Sequence, residues 1–301
     1  MPLNETQSQQ VQRANVELAM KMRLELKFKN ELNRMFRRIG SDLSVMLSTR
    51  GGVISAGSYA NDFRVILDRN YRRVQRIFMN EIVSFLKQNR TNLNEDLIRD
   101  LTLIANARGS TVNKLISELR RNVREDLAVF RQFNIGQSVE QIINTTQKEI
   151  DRAVRKATEE LINEFGEDFT NGQLARNSRT NFINRQTARA EMIAATEVQN
   201  VAEGTKQLER DRLLGIRNSL VSTQLNLEPL GENEIWVTQG DNLVRDGDNT
   251  RFNHLAADGQ EKVNGTFTVS NELLRFPGDR SLGASIGNVA RCRCAAVTVI
   301  N

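Results

Sequence analysis

Between residues 236 and 294 the chain places its only tryptophan (Trp236), its only histidine (His254) and both of its cysteines (Cys292 and Cys294). One imidazole and two thiols make a set of soft or borderline ligands, one short of a closed four-ligand zinc site. Asp258 or Asp279 would be the candidate fourth ligand. Zinc sites normally draw their cysteines from pairs two to four residues apart, so a lone Cys292-Arg293-Cys294 is a thin signal. The plainer reading is two reduced thiols on one face of a final strand, packed against the end of the molecule, with no metal and no cofactor. Cysteines one residue apart do not form an ordinary scaffold disulfide and no others exist to pair with them, which points to a reducing compartment. His254 can act as base, ligand or hydrogen-bond hub. Without a Ser or Cys in an elbow-type turn, nucleophilic catalysis has little support, and the histidine reads as the hub of the Arg251–Gly259 loop.

Other residue groups carry weaker chemistry. Phe276-Pro277-Gly278-Asp279 is a turn, with Pro fixing φ and Gly free to take a positive one. The run Arg189 to Asn200, with Thr196 and Glu197 among small alanines, suits close packing through fixed hydrogen bonds. Its plainer reading is a solvated helix face with incidental charge. Glu159-Glu160 is a carboxylate pair on a charged, solvent-directed face. No Walker loop, dinucleotide-binding glycine motif after a strand, or H-E-x-x-H is present.

The elements that must position these residues are mostly helices. Only 3 prolines interrupt the chain, which favours long helices over a loop-rich fold. Residues 5–39 read as one helix, with Leu32, Met35, Phe36 and Ile39 on a buried face. Leu18, Met20, Met22, Leu24, Leu26 and Phe28 alternate with polar residues, as a strand would, but these are helix-forming types with no bracketing turn. Glycines around 48–60 predict a bend. Helical spacing resumes from Phe63 to about Gln88. Asn94 then reads as a helix cap, and Gly109 follows that helix. Val112 to Phe130 forms the cleanest apolar stripe, and Ser138-x-x-Gln141 reads as a capping box opening another helix that ends at Gly166. Residues 166–184 read as a polar hinge and 185–214 as a further helix. After Gly215 come β-prone runs at 234–238, 266–269 and 295–300. The expectation is a mainly α protein, with a long-helix N-terminal region and a small α+β C-terminal domain. Residues 1–184 form the helical body and 185–301 the end domain, in which 185–214 is the linking helix and 215–301 the α+β part.

Composition narrows the function classes. A net charge of +5 is a mild excess, less concentrated than in a dedicated nucleic-acid binder. Arg72, Arg73, Arg76, Lys87 and Arg90 would be the contacts if one face of the second long helix met DNA. No stretch approaches the ~18–20 apolar residues of a membrane span. The opening Met1-Pro-Leu-Asn-Glu-Thr lacks a basic region followed by an apolar run, so no secretory leader is read. The expectation is a protein that works in soluble form.

Taken in order, the motifs resemble the phage minor head proteins, the head-morphogenesis family similar to the F protein of phage Mu. Members look like a helical region ending in an Arg-Thr-Glu helix. A small domain follows with W-x-T-x-x-D, R-x-x-H-x-x-x-x-G-Q, a P-G-D turn and a terminal N-C-R-C. The matching positions are Ala195-Thr196-Glu197, Trp236, Thr238, Asp241, Arg251, His254, Gly259, Gln260, Pro277, Gly278, Asp279, Cys292, Arg293 and Cys294. Arg189 lies just upstream on the same helix. Ala195 stands where the family has Arg, Arg291 where it has Asn, and the 244–254 loop is longer, leaving Arg245 or Arg251 as the arginine partner of His254. The resemblance covers about residues 185–297. It implies a non-enzymatic, low-copy virion protein at the portal vertex or head interior, made in the host cytoplasm. Its implied partners are portal, capsid and scaffold proteins, with nonspecific contact to packaged DNA. One alternative is an ADP-ribosyltransferase-like enzyme using Arg189, Thr196, Glu197, Thr238 and His254 on NAD, without that chemistry's signature motifs; another is a nonspecific DNA-binding protein ejected with the genome.

Overall fold

The computed structural model describes residues 5–88, 102, 106, 109–220, 232–238, 244–248 and 250–300. The protein is mainly α, with long helices first and a small α+β part last. Among the described residues the long helices are α1 (Glu5–Arg50), α2 (Ala60–Gln88), α3 (Val112–Phe165) and α4 (Asn171–Leu220). No proline lies between residues 3 and 228, so nothing removes a backbone donor or forces a kink in these helices. The alternating segment from Leu18 to Phe28 is helical. The chain divides into two compact units: Met1–Met22, Arg72–Phe130 and Ala195–Asn301 form one, Arg23–Tyr71 and Arg131–Ala194 the other.

The second unit is a helical core. Phe28, Leu32, Phe36, Ile39, Leu43 and Leu47 recur at three- and four-residue steps along α1 and are all buried. Phe36 lies at its centre, with its ring 5.8 Å from that of Phe63 and 6.5 Å from that of Phe182. Arg189 stacks 4.9 Å over the same ring. Its guanidinium donates to the Ile142 carbonyl, Thr145, Thr146 and Gln186. Burial brings the Arg189 pKa down to about 10, against the opposing charge of Glu149. Arg189 therefore ties helices of this unit together and is not a residue of the end piece.

Two helix boundaries differ from the sequence reading. Ser138 opens no helix: it is buried within α3, and its hydroxyl lies 3.1 Å from that of Tyr71. The capping box is instead at Thr170 and Gln173. There the Thr170 hydroxyl accepts from the Gln173 N–H (3.2 Å) and the Gln173 side chain accepts from the Thr170 N–H (2.7 Å). Helix α4 starts directly after it, so residues 171–184 are helix and the break is confined to the turn at Gly166, whose φ is +64°. Of the stripe from Val112 to Phe130, Val123 and Leu127 are buried. The expected cap at Asn94 lies outside the described residues.

In the first unit the helical segments carry an α+β end piece. Strand β1 (Glu232–Val237) pairs antiparallel with β4 (Ala295–Ile300), Trp236 opposite Ala296. Strands β2 (Phe267–Val269) and β3 (Glu272–Leu274) form a hairpin. Its two turn residues, Ser270 and Asn271, have φ of 52° and 65°, the mirror-image turn that matches strand twist. A short helix α5 (Ile286–Val289) precedes the closing strand. The sequence reading had β1, β2 and β4 and lacked β3.

Replacing Phe36 by Ala removes the ring on which Phe63, Phe182 and Arg189 meet. The expected loss is ~3–5 kcal/mol of unfolding free energy in denaturant titration. A midpoint equal to wild type would show that these rings are not the core of the unit.

Candidate functional site in the end piece

Polar residues spaced along α4 at Thr196, Gln199, Asn200 and Glu203 follow a helical stripe that would ordinarily face water. All four are buried, as is Glu197. Thr196 accepts a hydrogen bond from the Arg291 N–H (3.2 Å), Gln199 donates to the Cys294 carbonyl (2.6 Å), and Glu203 accepts from the Ala296 N–H (3.3 Å). Successive helix positions thus grip successive backbone groups of the chain's closing segment. Glu197 is held by Arg280 through both carboxylate oxygens (3.2 and 3.1 Å). The expectation of a solvated face fails here, because the stripe is the dock for the end piece.

The turn motif works in the same place. Gly278 has φ +88°, and a Cβ there would lie 3.1 Å from the Gln199 side chain and 3.5 Å from the Asn200 backbone nitrogen. Asp279 holds the turn by accepting from the Arg275 and Ser281 N–H groups (3.0 and 2.9 Å). Asp258 accepts from the backbone and hydroxyl of Thr238. Neither aspartate joins the cysteines as a fourth ligand. Gly259, at φ +77°, donates its N–H to the Trp236 carbonyl.

At the centre are His254, Cys292 and Cys294, all buried, with ligand atoms within 4.8 Å of one another. The His254 Nδ1 is 3.6 Å from the Cys292 sulfur and 3.5 Å from the Cys294 sulfur. On the other side of the ring, Nε2 is 2.8 Å from the Asn288 Oδ1. The Asn288 amide is oriented by two acceptors, the Val269 carbonyl (3.1 Å) and Glu272 (2.9 Å), both served by its Nδ2. Its oxygen therefore faces the histidine, Nε2 carries a proton, and the Nδ1 side is turned to the sulfurs. Trp236 packs edge-on against the imidazole with centroids 5.8 Å apart. The surrounding core is Ala257, Phe267, Val269, Leu274, Val289 and Ala296.

Between the two candidate arginines, Arg245 is the partner. It lies 3.3 Å from the His254 Nε2 and donates to the carbonyls of Asn288 and Ala290. Arg251 is exposed, stacked over Phe252 and loosely paired with Glu272 at 3.9 Å. The electrostatics favour one thiolate in the pair. A hydrogen bond from Cys294, together with His254, holds the Cys292 thiol well below its ordinary range despite burial. The same hydrogen bond and burial push Cys294 well above it. Burial works against a charged His254, but the Cys292 thiolate prevails and raises its pKa.

A second cluster secures the dock. Glu203 pairs with Lys21 (2.5 Å) and Lys206 (3.0 Å), and Lys206 also meets Glu17 (2.7 Å). Burial opposes the Glu203 charge, and the two lysines overcome it, so its pKa lies below the ordinary 4.5. Buried Glu234 on β1 pairs similarly with Lys262 and Arg210.

Of the remaining candidates, Arg72 and Arg76 lie exposed on α2 and Arg73 is half-buried. Lys87 falls in α2 with its side chain outside the described residues, as are Asp241 and Arg90 altogether. Asn288, Arg280 and Glu203 were not singled out from sequence. Only the position of Asn288, four residues before Cys292, carried a usable signal. Comparison with known protein families, curated proteins and solved structures found no match.

Two predictions follow from this geometry. A carboxylate with a depressed pKa stabilises the fold above its unfolded value and loses that contribution as pH falls. Thermal melts taken from neutral pH downward should drop through the carboxylate range, and Glu203→Gln should flatten part of that drop. Glu203→Ala, which removes the carboxylate paired with buried Lys21 and leaves Lys206 to Glu17, should cost ~3–5 kcal/mol. Arg291 has φ 52°, a left-handed conformation that Asn tolerates better than Arg. Arg291→Asn should therefore raise the unfolding free energy by up to about 1 kcal/mol in denaturant titration, and Arg291→Val should lower it.

Proposed function

We propose that this chain is a structural minor head protein of a tailed bacteriophage, acting at the portal vertex or capsid interior in head assembly and DNA packaging or delivery. One observation carries the reading. The described residues on which the resemblance rests, scattered from Thr196 to Cys294, fall in one compact unit, and the buried polar ones bond to neighbours within it. That pattern suits a module whose motif preserves a shape. Its amphipathic helices, with charged outer faces, suit docking along a portal or shell surface.

Burial also speaks against turnover. Cys292, His254 and Asn288 stand in the order nucleophile, base and orienting amide, the logic of thiol acyl transfer. Their exposures are 4%, 2% and 0%, so a substrate carbonyl has no approach to the sulfur. The residues of the NAD-dependent alternative are engaged separately: Thr196 with Arg291, Glu197 with Arg280, Thr238 with Asp258, and Arg189 in the other unit. NAD titration by calorimetry is expected to give no heat.

Co-expression with the portal protein of the same phage, followed by affinity capture of either partner, should recover both at a fixed ratio. Mass spectrometry of purified heads should find the chain in few copies. Recovery of portal and heads without this chain would refute the proposal.

A further inference from the structure

We propose that His254, Cys292 and Cys294 form a zinc site, a metal clamp that joins the His254 loop to the closing segment of the chain. Two of the three distances between ligand atoms match those around a tetrahedral ion, and all three atoms lie within 4.8 Å of one another. Zinc binds thiolate sulfur at about 2.3 Å and imidazole nitrogen at about 2.0–2.1 Å, so two such ligands at a tetrahedral angle stand about 3.5–3.6 Å apart. The His254 Nδ1 stands 3.6 and 3.5 Å from the two sulfurs. A histidine merely filling a core needs neither distance to both.

The surroundings are those of a ligand set. A metal-bound imidazole usually gives its far N–H to an oxygen, which fixes the tautomer and turns the other nitrogen to the metal. Asn288 does this for His254, and Val269 and Glu272 fix Asn288 in turn. The Trp236 indole N–H is buried with no hydrogen-bond partner among the described residues, and its ring shares one buried cluster with both sulfurs. Two thiolates neutralise a divalent ion, so the filled site buries no net charge. Thr196 and Gln199 anchor the backbone on either side of the Cys292–Cys294 span, setting both sulfurs before any ion arrives. Three ligands come from the described residues, and the fourth corner is left to a water molecule. Spacing alone argued against this reading, because the one-residue gap is short for a zinc knuckle. The structure replaces spacing with convergence, since Arg291 turns the chain at positive φ and both sulfurs reach one nitrogen. The inference does not depend on the head-protein reading and is tested separately.

The test uses the full chain, purified under reducing conditions and loaded with zinc alone. Elemental analysis should find one zinc per chain, and chelation should lower the melting temperature until zinc is restored. The cobalt-substituted chain should show thiolate-to-cobalt charge transfer with the intense visible bands of a tetrahedral ion. The double variant Cys292→Ala/Cys294→Ala should bind no zinc, and its melting should ignore added metal. Asn288→Ala should weaken zinc affinity about 10–100-fold while keeping the stoichiometry. If the double variant does not fold, the cobalt spectrum of the wild-type chain decides: thiolate bands uphold the site and their absence overturns it. Wild-type protein that takes up no zinc, and melts identically with and without chelator, overturns it equally.

Discussion

The arrangement depends on hydrogen bonds from one face of α4 to the backbone of residues 291–296. A two-stranded sheet is marginal alone in water, and the end piece contains two of them. Its small core cannot supply the missing stability, so it borrows a surface. Thr196, Gln199 and Glu203 meet Arg291, Cys294 and Ala296 in order, which sets register as well as attachment. A sliding apolar contact would fix neither. Buried polar groups are costly unless satisfied, so a shift by one residue would leave every one of them unpaired.

Much of the fold was legible because helices announce themselves locally. The chain has no proline from residue 3 to residue 228 and carries apolar positions at helical steps, and those define α1 to α4 in outline. Boundaries were less legible because polar residues serve two purposes. Ser138 with Gln141 and Thr170 with Gln173 have the same capping pattern, and only the surroundings show that one lies inside a helix beside Tyr71. The strands rich in Val, Ile and Thr could be read, whereas Glu272-Leu273-Leu274 has no strand signature and is a strand through its partner β2.

The site divides along the same line. Scarcity marked Trp236, His254 and the cysteines, because rare types in one stretch are conspicuous whatever the fold. Common types gave no such mark. Gln199, Glu203 and Arg280 look like any helix or loop surface, and burial alone makes them structural. Choosing Arg245 over Arg251 also needed the third dimension, since both lie within ten residues of His254 and differ only in where their loop folds back.

Burial likewise decides which chemistry a trio of this kind can carry. A thiol, an imidazole and an amide serve equally as nucleophile, base and orienter, or as two ligands' worth of donors with a support behind them. Catalysis requires that a substrate reach the sulfur and leave again, whereas both sulfurs are packed with Trp236, Phe267 and Val289 in one buried cluster. A small ion asks for far less room than a substrate, which favours the proposed zinc site over turnover. The short Cys-x-Cys spacing suits this use. It keeps both donors on one tethered segment, so a single loop closure, that of His254, completes the set.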